Sequence, residues 1–364
     1  MENKRELGLL KFKLFFYGVN IDTLTLRALS SKGYRVPAII RTGASYGIEA
    51  IVNHSLCVNI PINKESPIHI AKTLDTLIMD DNSTCAIEIL KHPISVSLEK
   101  GGSLIENVGK ICFDRLGITL YSGCSFKESN KGCKFCGIDK APSFNTHYLM
   151  DSDDVAFILK TAFDVPNNEI RHILLSGGVL PGEEYGAAIF AKAAQVIKSV
   201  YPNMSVYAML PPPEKDSTLQ MLIDAGIDEI GINIEIMDKD YRQRLIPGKD
   251  EIGVERYFKS LEYLGNHLPK FGARSILMGG IEPLESTLAG VEELCKRGVM
   301  PIISHYRSLG ERLPSFVTSE EGMYCLWESA ANIADKYGMV IGPTCIPCQN
   351  NVIALPIGEN YRYY

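Results

Sequence analysis

Residues Gly117-Ile118-Thr119-Leu120-Tyr121 run directly into Cys124-Ser125-Phe126-Lys127-Glu128-Ser129-Asn130-Lys131-Gly132-Cys133-Lys134-Phe135-Cys136. The first stretch is apolar and β-branched, so it reads as a strand. The second brings three cysteines into thirteen residues, two of them as Cys-x-x-Cys. Together they read as a strand that ends in a ligand loop. A structural zinc site takes four protein ligands. No histidine stands between Cys124 and Cys136, and His147 is the nearest candidate for a fourth ligand. A cubane cluster on three thiolates instead leaves one iron open for a small molecule, whereas electron carriers use four cysteines.

Downstream of this loop the pattern alternates. Strand-like runs fall at 116–121, 172–176, 204–210, 229–234, 273–279 and 299–303, with a seventh at 338–342. Helical segments lie near 152–164, 183–200, 216–225, 253–265, 285–297 and 318–336. Asp151-Ser152-Asp153-Asp154 places acidic caps at the first of these. In the second, Tyr185, Ile189, Ala193, Val196 and Val200 are spaced as one apolar stripe. Repeated strand–helix units predict an α/β fold with a parallel sheet, most simply a partial or full (β/α) TIM-type barrel. An open doubly wound sheet is the alternative. In both, ligands bind at the carboxyl ends of the strands, and the cysteine loop follows the first strand. That loop is about thirty residues long, against the usual ~2–6 for a strand–helix connection.

The spacing resembles the radical SAM superfamily, and Ala225-Gly226-Ile227-Asp228-Glu229-Ile230-Gly231 before Asn233 looks like that region of its biotin-synthase-like branch. Cys133-Lys134-Phe135-Cys136 matches the second half of the family's cluster motif. The first gap departs, with eight residues where the common form has three. The resemblance covers about 113–342. It implies a [4Fe–4S] cluster on Cys124, Cys133 and Cys136, with S-adenosyl-L-methionine bound at its open iron. Phe135, Ser176, Gly177, Gly178, Asn233, Glu235 and Arg274 are the implied cofactor contacts, although Val179 stands where the family has an acid after Gly-Gly. The implied reaction is reductive cleavage of S-adenosylmethionine to a 5′-deoxyadenosyl radical that abstracts hydrogen from a small-molecule substrate in a biosynthetic step. A low-potential donor such as flavodoxin or ferredoxin is the implied partner. An iron–sulfur electron-transfer or assembly protein, or a zinc-stabilised binding module, remains the alternative.

Two further groups of residues are singled out. Ser304-His305-Tyr306-Arg307 closes the sixth strand, which makes His305 a substrate-side catalytic candidate. Cys345-Ile346-Pro347-Cys348 follows the run 339–341. If that run is a seventh parallel strand, Cys345 and Cys348 reach the same face. They then serve as catalytic thiols, as ligands of an auxiliary cluster, or as a second metal site with histidines from elsewhere. The other cysteines read as packed core, Cys295 and Cys325 within helices.

Three regions follow: an N-terminal α+β extension at 1–108, the barrel at 109–342, and a tail with Cys-x-x-Cys at 343–364. In the extension, 36–40 reads as a strand, and Arg41-Thr42-Gly43-Ala44-Ser45 reads as a polar substrate loop covering the barrel mouth. A net charge of −6 leaves no basic excess for phosphate neutralisation and argues against nucleic acid. No apolar run reaches the ~18 residues of a membrane span. The N-terminus lacks the apolar core of a signal peptide. Ten cysteines without an export signal read as reduced thiols, so a cytoplasmic location is expected.

Overall fold

The computed structural model describes residues 4–31, 47–90, 95–100, 102–141, 143–166, 169–306 and 315–363. The sequence-predicted strand at 36–40, the loop Arg41–Ser45 and Arg307 lie outside these.

The chain begins with two helices, α1 (Lys4–Tyr17) and α2 (Thr23–Ser31). Five antiparallel strands follow, β1 (Ile48–Val52), β2 (Leu56–Ile60), β3 (His69–Ile70), β4 (Thr76–Ile78) and β5 (Thr84–Ile89), in the spatial order β2-β1-β5-β4-β3. Helix α1 packs on β2 of this sheet. Its buried face carries Leu7, Phe12, Leu14 and Phe15, and also Lys11.

Next come β6 (Ser95–Lys100) and β7 (Ser103–Cys112), which form a hairpin. The sequence boundary at 108/109 falls inside β7. That strand pairs antiparallel with β8 (Arg115–Thr119), so the hairpin continues the barrel sheet. Beyond β8 lie the short helix α3 (Ser125–Glu128) and α4 (Ser152–Phe163). Asp151 caps α4 by accepting from the amides of Asp153 and Asp154, while Asp154 reaches back to the Asp151 amide. Val155, Ile158, Leu159 and Ala162 then form its buried stripe.

The strand–helix alternation proceeds as the pattern predicts. β9 (His172–Ser176) leads to α5 (Ala187–Val200), β10 (Ser205–Met209) to α6 (Asp216–Asp224), and β11 (Glu229–Gly231) to α7 (Lys239–Leu245), α8 (Pro247–Ile252) and α9 (Val254–His267). Then β12 (Ala273–Gly279) leads to α10 (Leu284–Lys296), and β13 (Met300–His305) precedes α11 (Glu320–Lys336). Strands β8 to β13 are all parallel and stand side by side in chain order. No reversal of order occurs, which removes the doubly wound alternative. The edges β13 and β6 do not pair with each other, so the sheet is a partial barrel. Successive helices α4, α5, α6 and α9 pack on one another, as do α10 and α11.

Two sequence expectations change. The buried face of α5 is Ala187, Phe190, Ala191, Ala193, Ala194 and Ile197; of the expected stripe Ala193 is buried, and Ile189 and Val196 pack half-buried at its margin. The helix starts only after left-handed Gly186, and its alanines let α4 and α6 approach closely. No seventh strand forms at 338–342. Gly338 adopts a left-handed φ of 63°, and the run Met339–Ile341 is packed without joining a ladder. Instead Ile353 N bonds Ile303 O at 2.7 Å, laying the C-terminal segment antiparallel along β13.

Candidate metal centre at the strand ends

Cys124 is the N-cap of α3, five residues beyond the end of β8. The long first gap of the cysteine motif is taken up by this one helical turn, which ends at left-handed Asn130. Lys127 then folds the loop back on itself: its Nζ donates to Cys136 O at 2.8 Å and pairs with Asp139 at 3.2 Å. The returning arm crosses to the segment after β11. Lys134 N donates to Leu245 O at 2.8 Å, and Gly248 N donates to Lys131 O at 2.9 Å. The loop therefore spans the carboxyl end of the sheet from its first parallel strand to its fourth.

Gly177 and Gly178 hold the start of this loop. Gly178 N donates to Tyr121 O at 3.0 Å, and Ser125 N donates to Val179 O at 2.8 Å. A Cβ on Gly178 would stand 1.6 Å from Gly123 O and 2.9 Å from Cys124 Cβ. One on Gly177 would stand 2.8 Å from Tyr121 N. Glycine is required here because the backbone bearing Cys124 lies directly on it. Ser176 adds to the clip through its carbonyl, which accepts Leu120 N at 2.7 Å.

The three thiols influence one another. Burial pushes the Cys133 thiol up, the Glu235 carboxylate pushes it further, and Cys136 and Cys124 add to the effect. Burial likewise raises Cys136, with Glu235 and Cys124 contributing. Such a group of thiols holds its charge only beside a cation or metal. The donor set fits a [4Fe–4S] cluster on three cysteines. His147 is not drawn in as a fourth ligand: its Nδ1 is 3.1 Å from Glu128 Oε1, which also accepts Cys124 N at 3.0 Å.

Glu235 stands 3.9 Å from Cys133 Sγ and adopts a left-handed φ of 64°, rare for a non-glycine residue. Its backbone is fixed by Ile276 O and Met278 N, both at 2.8 Å. β11 ends at Gly231, so Asn233 and Glu235 lie on an irregular extension beyond it. Asn233 Oδ1 accepts Ile276 N at 3.1 Å, which holds the extension against β12. Lys249 was not legible as a site residue. It donates to Asn233 O at 3.1 Å and pairs with Glu235 at 2.9 Å. Its only sequence signal was its place shortly after the strand end. Phe135 and Cys133 pack against a small apolar cluster of Ile236, Leu245, Ile246, Ile281 and Tyr306 at the ends of the fourth to sixth parallel strands.

Other expected residues stand elsewhere. Arg274 is buried near the start of β12, paired with Glu229 and 4.8 Å over the Tyr207 ring. The structure does not bring it to the cysteine loop. His305 does close β13 at the loop's end of the sheet, stacked on Phe15 of α1 at a centroid distance of 6.3 Å. Cys345 and Cys348 meet His172, the first residue of β9, and so lie at the opposite end of the sheet from Cys124. The seventh strand that would have carried them to the mouth does not form. Cys295 is buried as expected, but Cys325 is exposed.

A family model described as the Radical SAM superfamily matches residues 118–299, half of the chain. Bacteriochlorophyllide c C-7(1)-hydroxylase of Chlorobaculum limnaeum is 28% identical over 148 residues, covering 39% of this chain and 36% of that protein. Lipoyl synthase of Oleidesulfovibrio alaskensis is 26% identical over 174 residues, covering 46% of this chain and 54% of that protein. The matched part thus spans about a third to a half of those curated relatives. Among solved structures, the FeFe-hydrogenase maturase HydG from Carboxydothermus hydrogenoformans aligns over 68% of this chain and 61% of that one, at 14% identity and a TM-score of 0.45. No described helix is long and apolar enough to cross a membrane.

Proposed function

This chain belongs to the radical SAM superfamily, whose enzymes use a [4Fe–4S] cluster and S-adenosylmethionine, and we propose that it is a member acting on a small-molecule substrate in a biosynthetic step. Cys124, Cys133 and Cys136 are the proposed cluster ligands. When bound, the cluster and S-adenosylmethionine supply a carbon-centred radical able to take hydrogen from an unactivated carbon. Everything else falls to the protein's own side chains: to orient the substrate and to keep water out.

The observation that carries this reading is the loop bearing Cys124, Cys133 and Cys136, which crosses the carboxyl ends of the parallel strands and sets Cys133 Sγ 3.9 Å from Glu235. That is the ligand-binding end of such a sheet. Glu235 offers a carboxylate to the ribose hydroxyls of S-adenosylmethionine, and Gly177-Gly178 offers backbone groups beside Cys124. Asn233 acts in this reading through the strand extension that it anchors. The apolar wall of Phe135, Ile236, Ile281 and Tyr306 excludes water on the far side. His305, beside α1, stands on the substrate side of the mouth. A low-potential flavodoxin or ferredoxin is the proposed electron donor.

Anaerobic reconstitution tests the reading. Wild type is expected to bind about four irons and to form 5′-deoxyadenosine from S-adenosylmethionine with dithionite. A Cys124→Ala/Cys133→Ala/Cys136→Ala variant should do neither. Reducible iron without 5′-deoxyadenosine would turn the assignment to electron transfer.

A further inference from the structure

Four donor side chains from three distant parts of the chain meet at the amino-terminal ends of the parallel strands. Asp114 occupies the turn between β7 and β8, and His172 opens β9. Cys345 and Cys348 come from the C-terminal segment. One ligand atom from each lies within 4.8 Å of the others. His172 Nε2 is 3.0 Å from Cys348 Sγ, and its Nδ1 is 3.9 Å from Asp114 Oδ1. The β8 and β9 strands separate this group from the cysteine loop by a span of roughly 16 Å, at ~3.3 Å per residue.

We propose that Asp114, His172, Cys345 and Cys348 form a mononuclear zinc site that pins the C-terminal segment to the base of the barrel, independent of the cluster at its mouth.

The first support is the burial of three of the four donors, with Cys348 half-buried. Asp114, His172 and Cys345 are 8%, 4% and 1% exposed. Neither carboxylate oxygen of Asp114 accepts a hydrogen bond among the described residues. A buried carboxylate left in that state is costly, and a cation bound to it removes the cost. The second support is local geometry. Cys348 N donates to Cys345 Sγ at 3.3 Å, so the Cys-x-x-Cys turn already folds its own amide onto a thiol sulfur. Both cysteines are free rather than joined in a disulfide.

Donor chemistry selects the ion. Two sulfurs exclude calcium and magnesium, which take oxygen ligands. Sulfur, imidazole and carboxylate in fourfold number form a zinc set. Charge agrees as well. Two thiolates and one carboxylate exceed a divalent ion by one negative charge, and the residue next to Asp114 is the cation Arg115. With four protein ligands the site has no open position, which makes it structural rather than catalytic.

The test is metal analysis of the full chain purified without oxygen. Wild type is expected to carry about one zinc per chain, and a Cys345→Ser/Cys348→Ser variant to lose it while keeping its iron. The Cys124/Cys133/Cys136→Ala variant should lose iron and keep zinc, which separates this proposal from the radical reading. If the serine variant fails to fold, chelator-treated wild type is titrated with cobalt(II). Thiolate-to-cobalt charge-transfer and tetrahedral ligand-field bands, abolished by one equivalent of zinc, uphold the site. Wild type that holds no zinc and takes up no cobalt overturns it. So does zinc retained in a folded serine variant, or additional iron lost in place of zinc.

Discussion

Lys249 Nζ lies 2.9 Å from Glu235 Oε1, and the two side chains are only 13% and 14% exposed. The nearby Cys133 sulfur sees the same carboxylate at 3.9 Å. The ammonium is therefore the counterion for a buried cluster of negative charge, and Glu235 raises its pKa against the effect of burial. Lys249→Met should cost about 3–5 kcal/mol, because it leaves Glu235 buried and unpaired. The double variant Lys249→Met/Glu235→Gln should recover most of that loss. Urea midpoints of the two proteins check this. Equal losses in both would mean that the pair matters through packing alone.

Glu235→Gln on its own separates cofactor binding from cluster assembly. The ligand thiols and the backbone bonds of their loop remain in place, so iron content should stay at the wild-type level. Loss of one charge-assisted hydrogen bond should weaken S-adenosylmethionine binding about tenfold. Equilibrium dialysis against the reconstituted protein reads the change, and unaltered affinity would remove Glu235 from the ribose site.

Gly178→Ala is expected to abolish cluster loading. Its Cβ would stand 1.6 Å from Gly123 O, a backbone atom that can yield only by moving Cys124. Gly182→Ala is the matched control. That position has a φ of +97° but nothing within 4 Å. It should cost about 1 kcal/mol of strain and leave iron binding intact. Visible absorbance after reconstitution distinguishes the two.

Lys11 makes stability depend on pH in an unusual direction. Its side chain is buried and donates to Gln349 O at 2.8 Å and to Ala354 O at 2.6 Å. Burial lowers its pKa from 10.5 to about 7, with Cys57 opposing the shift. A folded-state pKa below the unfolded one means that the unfolded chain holds the extra proton between these values. Raising the pH through that window favours folding, and the cost of burying the ammonium is full below it. Wild type should gain stability relative to Lys11→Met as pH rises from about 7 to 10. Melting temperatures of the two proteins at each pH give the comparison; parallel curves would show that Lys11 does not titrate there.

The barrel was legible where strands are buried on both faces. β9 and β12 match the sequence reading to the residue, because each centres on an apolar run, Ile173–Leu175 and Ile276–Met278, that a parallel strand buried on both faces needs. Met339–Ile341 has the same composition and is not a strand. The edge of β13 is taken by residues 352–353, and no local signal tells which segment wins an edge. Helix α1 escaped notice because Lys11 sits in the middle of its buried face and breaks the apolar stripe. The cysteine loop stands out because its three thiols are close in sequence. Lys249 could not, since a lysine near a strand end is ordinarily a solvated charge. The Asp114–His172–Cys345–Cys348 group was half visible: the thiols declare themselves by spacing, but their partners lie more than 170 positions away.

The seating of residues 352–354 along β13 has a consequence for how the protein is made. These residues leave the ribosome after every strand of the barrel sheet. Until they arrive, the Ile303 carbonyl at the edge of β13 lacks the amide of Ile353, and α1 lacks the carbonyls of Gln349 and Ala354 that its buried lysine binds. A nascent chain stalled before residue 349 therefore combines an open sheet edge with an unsatisfied ammonium, the state most prone to pairing with another copy. Assembly of the barrel edge is therefore committed only after the whole sheet has been made.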